Sequence, residues 1–411
     1  MPRHQSRRPR SASSVAGPIV FRPPVGRSAF ARLLVATVVA GAVAAACSGP
    51  PSDDTAAVSR PTTAASQAAG TPPAARTPAP TGTPKATPRP GPLTLSFAGD
   101  IQFESQLETR LARPATALAP IRPELSAADL TIANLETAVT TGGRAEDKTY
   151  TFRTPPVAFD ALAAAGIDVV TMANNHGVDY GPEGLRDTVA AAARAPLGVI
   201  GIGADADQAF APYVVTIKGT RIAVLGASAF PDPTTRNYPA GPDQAGVAAA
   251  LDPERLLAQV RTVRDTADLV VVYLHWGIER VGCPTQEQSS LAHDLAEAGA
   301  DIVVGSHAHI LLGAGRLDGY DTFVSYGLGN FVWPNRNSAR EITTGVLTLT
   351  VRGRTVTSAD WAPATIGVDG LPAFARGEDA STMREDFAGL RSCADLDAVP
   401  ASARTAARPG G

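Results

Sequence analysis

The chain has 411 residues, 44% of them hydrophobic, with 36 Lys and Arg set against 39 Asp and Glu for a formal net charge of −3 at pH 7. That length and apolar share support a sizeable core, while the balanced charge and the lack of a basic stripe exclude the electrostatic footprint of a nucleic-acid-binding protein. Three cysteines are too few for a thiolate metal cage.

In chain order, residues 1–32 carry several arginines and no acid, and residues 33–46 form an apolar run of signal-peptide length. A spanning helix needs roughly 20 apolar residues, so this run is too short to be one. It ends in Ala44-Ala45-Ala46-Cys47, which resembles a bacterial lipoprotein box with Cys47 as the lipidated residue. Ala44-x-Ala46 also suits an ordinary signal peptidase, so plain secretion stays open. Residues 1–46 are therefore expected to be a signal peptide, and residues 47–92 a lipidated cysteine followed by a disordered Pro/Ala/Thr spacer ending in "TPAPTGTPKATPRPGP". Such a composition buries too little to offset its ordering entropy. The order implied is anchor, tether and globular domain, outside the cytoplasm and lipid-anchored to the cell membrane.

From residue 93 the runs "LTLSFAGD", "DLTIANLE", "DVVTMANN", "DLVVVYLHW" and "DIVVGSHAH" each read as a buried strand with a polar tip. Residues 156–165, 182–195, 252–266 and 286–298 between them read as helices. Alternation of this kind implies an α/β domain over residues 93–372 whose strands are covered on both faces. "VVTIKGTRIAVLGAS" and "GVLTLTVRGRTVTSADW" read as hairpins with Lys218-Gly219-Thr220 and Arg352-Gly353-Arg354 at the turns, which makes the sheets mixed. Residues 373–411 read as a C-terminal tail, partly docked.

Ligands collect at the carboxyl ends of strands in open α/β sheets, and there each run carries its polar residues. Asp100 closes the first, Asn134 and Glu136 the second, Asn174, Asn175 and His176 the third, His275 the fourth, His307 and His309 the fifth. Taken singly, each has a bland explanation: a helix cap for Asp100, turn formers for the asparagines, a satisfied core histidine for His275. His293, inside the helical "SSLAHDLAEAGA", keeps that structural explanation. Four of six histidines at strand ends beside carboxylates and carboxamides are not expected from independent structural causes. On a strand, residues i and i+2 share a face, so the H-x-H pair His307/His309 is expected to aim two imidazoles at one point. Imidazole, carboxylate and carboxamide donors suit Mn²⁺, Fe²⁺ or Zn²⁺, and a bridging carboxylate can hold two such ions roughly 3.5–4 Å apart.

The motifs "FAGDIQF", "ANLETAVT", "MANNHGVDYG", "LHWGIE", "GADIVVGSHAHI" and "SYGLGNFVW", in that order, resemble the CapA family, named for capsule and poly-γ-glutamate synthesis. That family in turn resembles the calcineurin-like metallophosphoesterases. The resemblance covers about residues 93–366 and implies a layered α-β-β-α sandwich with a site for two divalent metal ions at the top edge of two packed sheets. It implies Asp100 and His309 as ligands of the first ion, Glu136 as the bridge, and Asn175, His275 and His307 as ligands of the second. His176 would be the general acid, with Asn134 and Asn330 lining the site. Two departures stand out: Glu136 takes the place of the usual bridging aspartate, and Ala308 stands where CapA relatives often have proline.

Two functions follow as expectations: a surface-anchored dimetal hydrolase of phosphoester or related bonds in cell-envelope or capsule metabolism, or a non-catalytic metal-containing accessory protein of surface-polymer synthesis or export. The partners implied are an anionic envelope polymer or phosphoester substrate, the membrane through the lipid, and a capsule-synthesis complex. Arg236, Arg336 and Arg340, in loops 231–246 and 333–341, are either anion contacts or solvated loop charges. Cys283 and Cys393 are either a disulfide, which exported chains retain, or two free thiols. A bridge is expected to be the main tie of the tail.

Overall fold

In the computed structural model, which describes residues 91–402, the run "LTLSFAGD" opens the strand Leu93–Ile101. The expected signal peptide, Cys47 and nearly all of the spacer lie outside the described residues. Leu93, Leu95 and Phe97 point to one side of this strand and Ala98 and Ile101 to the other, and all five are buried. Burial on both faces explains why the runs are continuously apolar rather than alternating.

This strand lies inside an eight-stranded sheet. Leu130–Leu135, Val169–Thr171 and Gly198–Ile200 follow it in parallel on one side, and the hairpin Thr343–Arg352/Thr355–Ile366 extends the other side antiparallel. A seven-stranded sheet centres on Thr220–Ser228, Leu269–His275, Ile302–Ser306 and Phe323–Ser325, all parallel, with Tyr213–Ile217 closing one edge as a hairpin. Its turn is Lys218-Gly219 with φ 51° and 81°, the left-handed pair that a two-residue hairpin requires.

Three apolar clusters define four layers. Leu95, Phe97 and Ile132 of the first sheet pack against Val224, Val271, Tyr273 and Val304 of the second. The outer face of the first sheet is covered by Ala158–Ala164 and Gly181–Ala192, and that of the second by Glu254–Arg264 and Gln286–Ala298. The layered α-β-β-α arrangement expected is the one observed. Thr285 and Gln288 form a capping box on the last of these helices, and Gly299 ends it at φ 106°. Among the described residues no helix is long and apolar enough to cross a membrane.

The tail is held more firmly than expected. The helix Gly377–Gly389 buries Phe387 in the cluster between the sheets, stacked on Trp361, and Leu396–Asp397 adds an antiparallel strand to Ala314–Leu317. Cys283 and Cys393 form a disulfide with a Cα separation of 5.7 Å. The bridge is thus one tie among three, because the tail also contributes core side chains and ladder hydrogen bonds that its sequence did not advertise.

Candidate metal centre

Parallel strands from both sheets end along one edge, and their last residues meet around Glu136. Asp100 and Asn134 sit near the ends of the first two strands, Glu136 directly follows Leu130–Leu135, and His275 is the last residue of Leu269–His275. Asn175 and His176 follow Val169–Thr171 after a short turn, and His307 follows Ile302–Ser306. The first sheet supplies oxygen donors and the second imidazoles.

The geometry is tight. His275 Nε2 lies 2.7 Å from Asn175 Oδ1, 3.1 Å from His307 Nδ1 and 3.6 Å from Glu136 Oε1. On the other side His309 lies 3.6 Å from Asp100 Oδ2 through Nδ1 and 4.0 Å from Glu136 Oε1 through Nε2. Asn330 Oδ1 accepts from His309 Nδ1 at 2.8 Å and its Nδ2 donates to Glu341 O, so Nδ1 carries the hydrogen of that bond and Nε2 is the nitrogen turned toward Glu136. Asn134 Nδ2 donates to Asp100 Oδ1 at 2.8 Å, and Asn174 Nδ2 donates to Asn134 Oδ1 at 2.9 Å, an amide relay that fixes the aspartate. Ser306 Oγ, 3.1 Å from His275 Nδ1, leaves His275 Nε2 for the centre.

Glu136 is fully buried and neither of its oxygens has a hydrogen-bond partner; His307 Nε2 is orphaned in the same way. Buried unpaired groups of this kind are costly, and a cation coordinated among them removes the cost. Two overlapping donor groups, Glu136/His307/His309 and Asp100/Glu136/His275, each lie within the 4.8 Å that one ion can span, with Glu136 common to both. The donor set fits divalent metal.

Electrostatics follow from burial. Burial, with Asp100 and Glu279 adding repulsion, pushes the Glu136 carboxyl well above its usual range, and burial raises Asp100 despite His309 and Asn134. His275 and His307 are pushed well below the ordinary imidazole value by burial and by the neighbouring histidines, so they stand neutral and ready to coordinate.

His176 approaches from the remaining side, with Nε2 4.0 Å from Glu136 Oε1 and Nδ1 bonded to Asp179 Oδ2 at 2.5 Å. Burial lowers its pKa and the Asp179 carboxylate opposes that shift. Phe152 stacks on His176 with centroids 4.1 Å apart, Phe230 lies 3.8 Å from His307, and Trp333 lies 4.9 Å from His309. Aromatic faces thus cover three of the imidazoles.

Other expectations meet different outcomes. The pair His307/His309 does not converge by strand alternation: the strand stops at Ser306, and both histidines are left-handed, with φ 93° and 56°. A strained turn, unusual for residues with a Cβ, aims the two rings instead. Arg336 donates to Ile366 O and Arg340 to Arg280 O, so both are engaged by backbone, and Arg236 is exposed on the short helix Pro233–Asn237. His293 Nδ1 donates to Ser289 O at 2.8 Å within its own helix, in keeping with its structural explanation. Asp179 and Lys148 were missed. Asp179 was signalled by its spacing of three from His176 in "NNHGVD", whereas Lys148, in "AEDKTYTF", has no local pattern.

The family model described as "Bacterial capsule synthesis protein PGA_cap" matches residues 94–335. The PGA biosynthesis protein CapA of Bacillus subtilis (strain 168) is 33% identical over 248 residues, covering 59% of this chain and 63% of that protein. The capsule biosynthesis protein CapA of Bacillus anthracis is 31% identical over 255 residues, covering 59% of this chain and 60% of that protein. The matched part of this chain therefore spans less than two thirds of the length of either relative. The crystal structure of a hypothetical protein from Thermus thermophilus aligns with a TM-score of 0.42 at 18% identity, over 66% of this chain and 99% of that one. The family match takes in every residue gathered around Glu136, and the chain belongs to the bacterial capsule synthesis protein family, PGA_cap, as its resemblance to CapA implied.

Proposed function

We propose that this chain is a dimetal hydrolase of phosphoester or related bonds in capsule or cell-envelope polymer metabolism. The observation that carries the reading is Glu136, a buried carboxyl with no hydrogen-bond partner, ringed by imidazoles and with His176 Nε2 4.0 Å from its Oε1. Asp100, His309 and Glu136 would hold one ion, and Glu136, Asn175, His275 and His307 the other. Bound there, two divalent ions supply Lewis acidity and a water of lowered pKa. His176, held through Nδ1 by Asp179, presents Nε2 to the reacting group. When water attacks phosphorus and the ester P–O bond breaks, the departing oxygen takes the Nε2 proton of His176 in its imidazolium form, which the Asp179 carboxylate favours. Phe152, Phe230 and Trp333 limit the water that reaches these groups.

Both curated relatives are named for capsule or PGA biosynthesis, which supports an anionic envelope polymer as substrate and a synthesis complex as setting. Anchoring through a lipid on Cys47, ahead of the spacer, is part of the same proposal and rests on the leader sequence. Cys47→Ser should release the protein from the membrane fraction.

The test is metal analysis of the full chain purified without chelator, followed by a screen of phosphomonoesters and phosphodiesters. Up to two divalent ions per chain are expected, with at least one lost in His307→Ala. His176→Asn should keep metal while turnover falls by roughly 10²–10⁴-fold, the usual contribution of a general acid. Bound metal with no turnover on any ester would overturn the hydrolase and leave a metal-containing accessory protein of polymer synthesis.

A further inference from the structure

We propose that Lys148 is a positioning residue of the metal centre, a clamp that holds the centre's two sheets in register. Lys148 touches none of the converging donor atoms, yet its side chain is only 12% exposed. Its ammonium donates to the backbone oxygen of Asn175, to Asp179 Oδ1 at 2.6 Å and to Thr234 Oγ1 at 3.5 Å, and it lies 3.7 Å from Asp232 Oδ2. Asn175 and Asp179 follow a strand of the eight-stranded sheet, whereas Asp232 and Thr234 follow Thr220–Ser228 of the seven-stranded one. One ammonium therefore ties loops from both sheets beside Glu136.

Two of its contacts lead directly to groups of the proposed site. Asn175 offers its side-chain oxygen to His275 Nε2 while its main-chain oxygen is held by Lys148 and by Thr234 Oγ1 at 2.7 Å. The carboxamide is thus fixed by its own peptide. Asp179 is fully buried and accepts from Lys148, from His176 Nδ1 and from Phe152 N at 2.7 Å, while its main-chain oxygen accepts from Glu146 N. Lys148 therefore neutralises the carboxylate that orients His176. It also anchors the segment between the short strands Ala138–Val139 and Arg153–Thr154, which delivers Phe152 onto the His176 ring. Without the ammonium, Asp179 and Asp232 stand as two buried carboxylates with no cation between them, and the Asn175 loop is free to move from the His275 side.

The role of Lys148 toward His176 rests on the hydrolase reading; its role toward Asn175 does not, and the two are tested separately. In the first measurement the full chain is loaded with Co²⁺ and stripped with EDTA while the cobalt absorbance is followed. Lys148→Met should lose the ion at least about tenfold faster than wild type. Lys148→Arg keeps the charge and serves if Lys148→Met does not accumulate; its longer planar head cannot reproduce the same contacts, so stripping should again be faster. An unchanged rate in the variant that folds overturns the proposal. In the second, turnover at saturating Co²⁺, where faster metal loss does not contribute, is compared in Lys148→Met, His176→Asn and the double variant. A positioning role predicts a fall in kcat with KM little changed, and a double variant no slower than His176→Asn alone. Losses that multiply in the double variant overturn positioning through His176. If the wild-type chain turns over no ester, the hydrolase reading falls, and the cobalt measurement still decides the place of Lys148.

Discussion

Asp100 and Glu136 are buried carboxyls whose pKa values burial raises, Glu136 the more strongly, and both must be ionised to hold a cation. The sign of the linkage follows. Above the ordinary carboxyl range of about 4 and up to the raised values, the metal-free fold carries protons that the unfolded chain has lost, so these two groups stabilise it least at the high-pH end of that window. His275 and His307 are depressed, so their contribution is present above the ordinary imidazole value of about 6.5 and is lost as pH falls below it toward their folded values. Metal needs the carboxylates bare and the imidazoles neutral, and of these four groups the two carboxyls are the ones whose folded state favours a bound proton. Metal uptake within the carboxyl window is therefore expected to release protons, and affinity to rise with pH through it. Calorimetry of metal binding in two buffers of different ionisation enthalpy measures the release; a value of zero, or net proton uptake, would contradict the raised pKa values. The identities of these residues were legible because polar side chains ended apolar runs. The conformation of His307 and His309 was not, since a left-handed backbone is set by what surrounds the turn. Arg280 N, for one, donates to Ala308 O at 2.9 Å.

Among elements, the strands and helices were readable because burial on both faces makes runs such as "DLVVVYLHW" continuous, and the four helical stretches agree with the observed helices to within three residues at each end. The partition of the strands between two sheets was not readable, because central strands of either sheet, such as Leu130–Leu135 and Leu269–His275, are buried throughout, and pairings as distant as that of Leu93–Ile101 with a hairpin some 250 residues on decide it. Another long-range pairing, with Asn330–Val332, sets Asp100. Just before it, Gly99 lies so close to the turn at Gly329 that a Cβ would sit 1.9 Å from Gly329 O, and Asp100 N donates to the same oxygen at 2.9 Å. A carbonyl held by the neighbouring strand cannot retreat as a flexible side chain would. Gly99→Ala is therefore expected to cost about 3 kcal/mol, the upper part of the usual overpacking range, and to lower metal content by displacing Asp100. Denaturant titration and metal analysis check it; a variant with the wild-type midpoint and full metal would show that the strand ends can part without disturbing the centre.

At the scale of the whole molecule, the disulfide joins the loop after the His275 strand to a tail that the family match does not reach. The cysteines are 110 residues apart, and the chain-entropy model gives roughly 4–5 kcal/mol for a closed loop of that length, less any strain in the native state. Cys283→Ser with Cys393→Ser should therefore lower the unfolding free energy by about 2–5 kcal/mol. Where the loss is felt locally follows from the other ties. Phe387 is packed between the sheets and Leu396–Asp397 is hydrogen-bonded to Ala314–Leu317, so the tail has contacts that survive reduction. Residues 278–283 have fewer: Ile278 and Val281 are exposed, and the main anchors are Arg280 N on Ala308 O and Arg280 Nε on Glu341 at 2.8 Å. Reduction is therefore expected to loosen this loop before the tail, and through Ala308 to reach the turn that carries His307 and His309. Hydrogen exchange of the native protein with and without reductant resolves the two segments. Faster exchange in residues 278–283 with the helix Gly377–Gly389 still protected is the expected pattern. Early release of that helix would mean that the bridge, rather than Phe387 and the added strand, holds the tail in place.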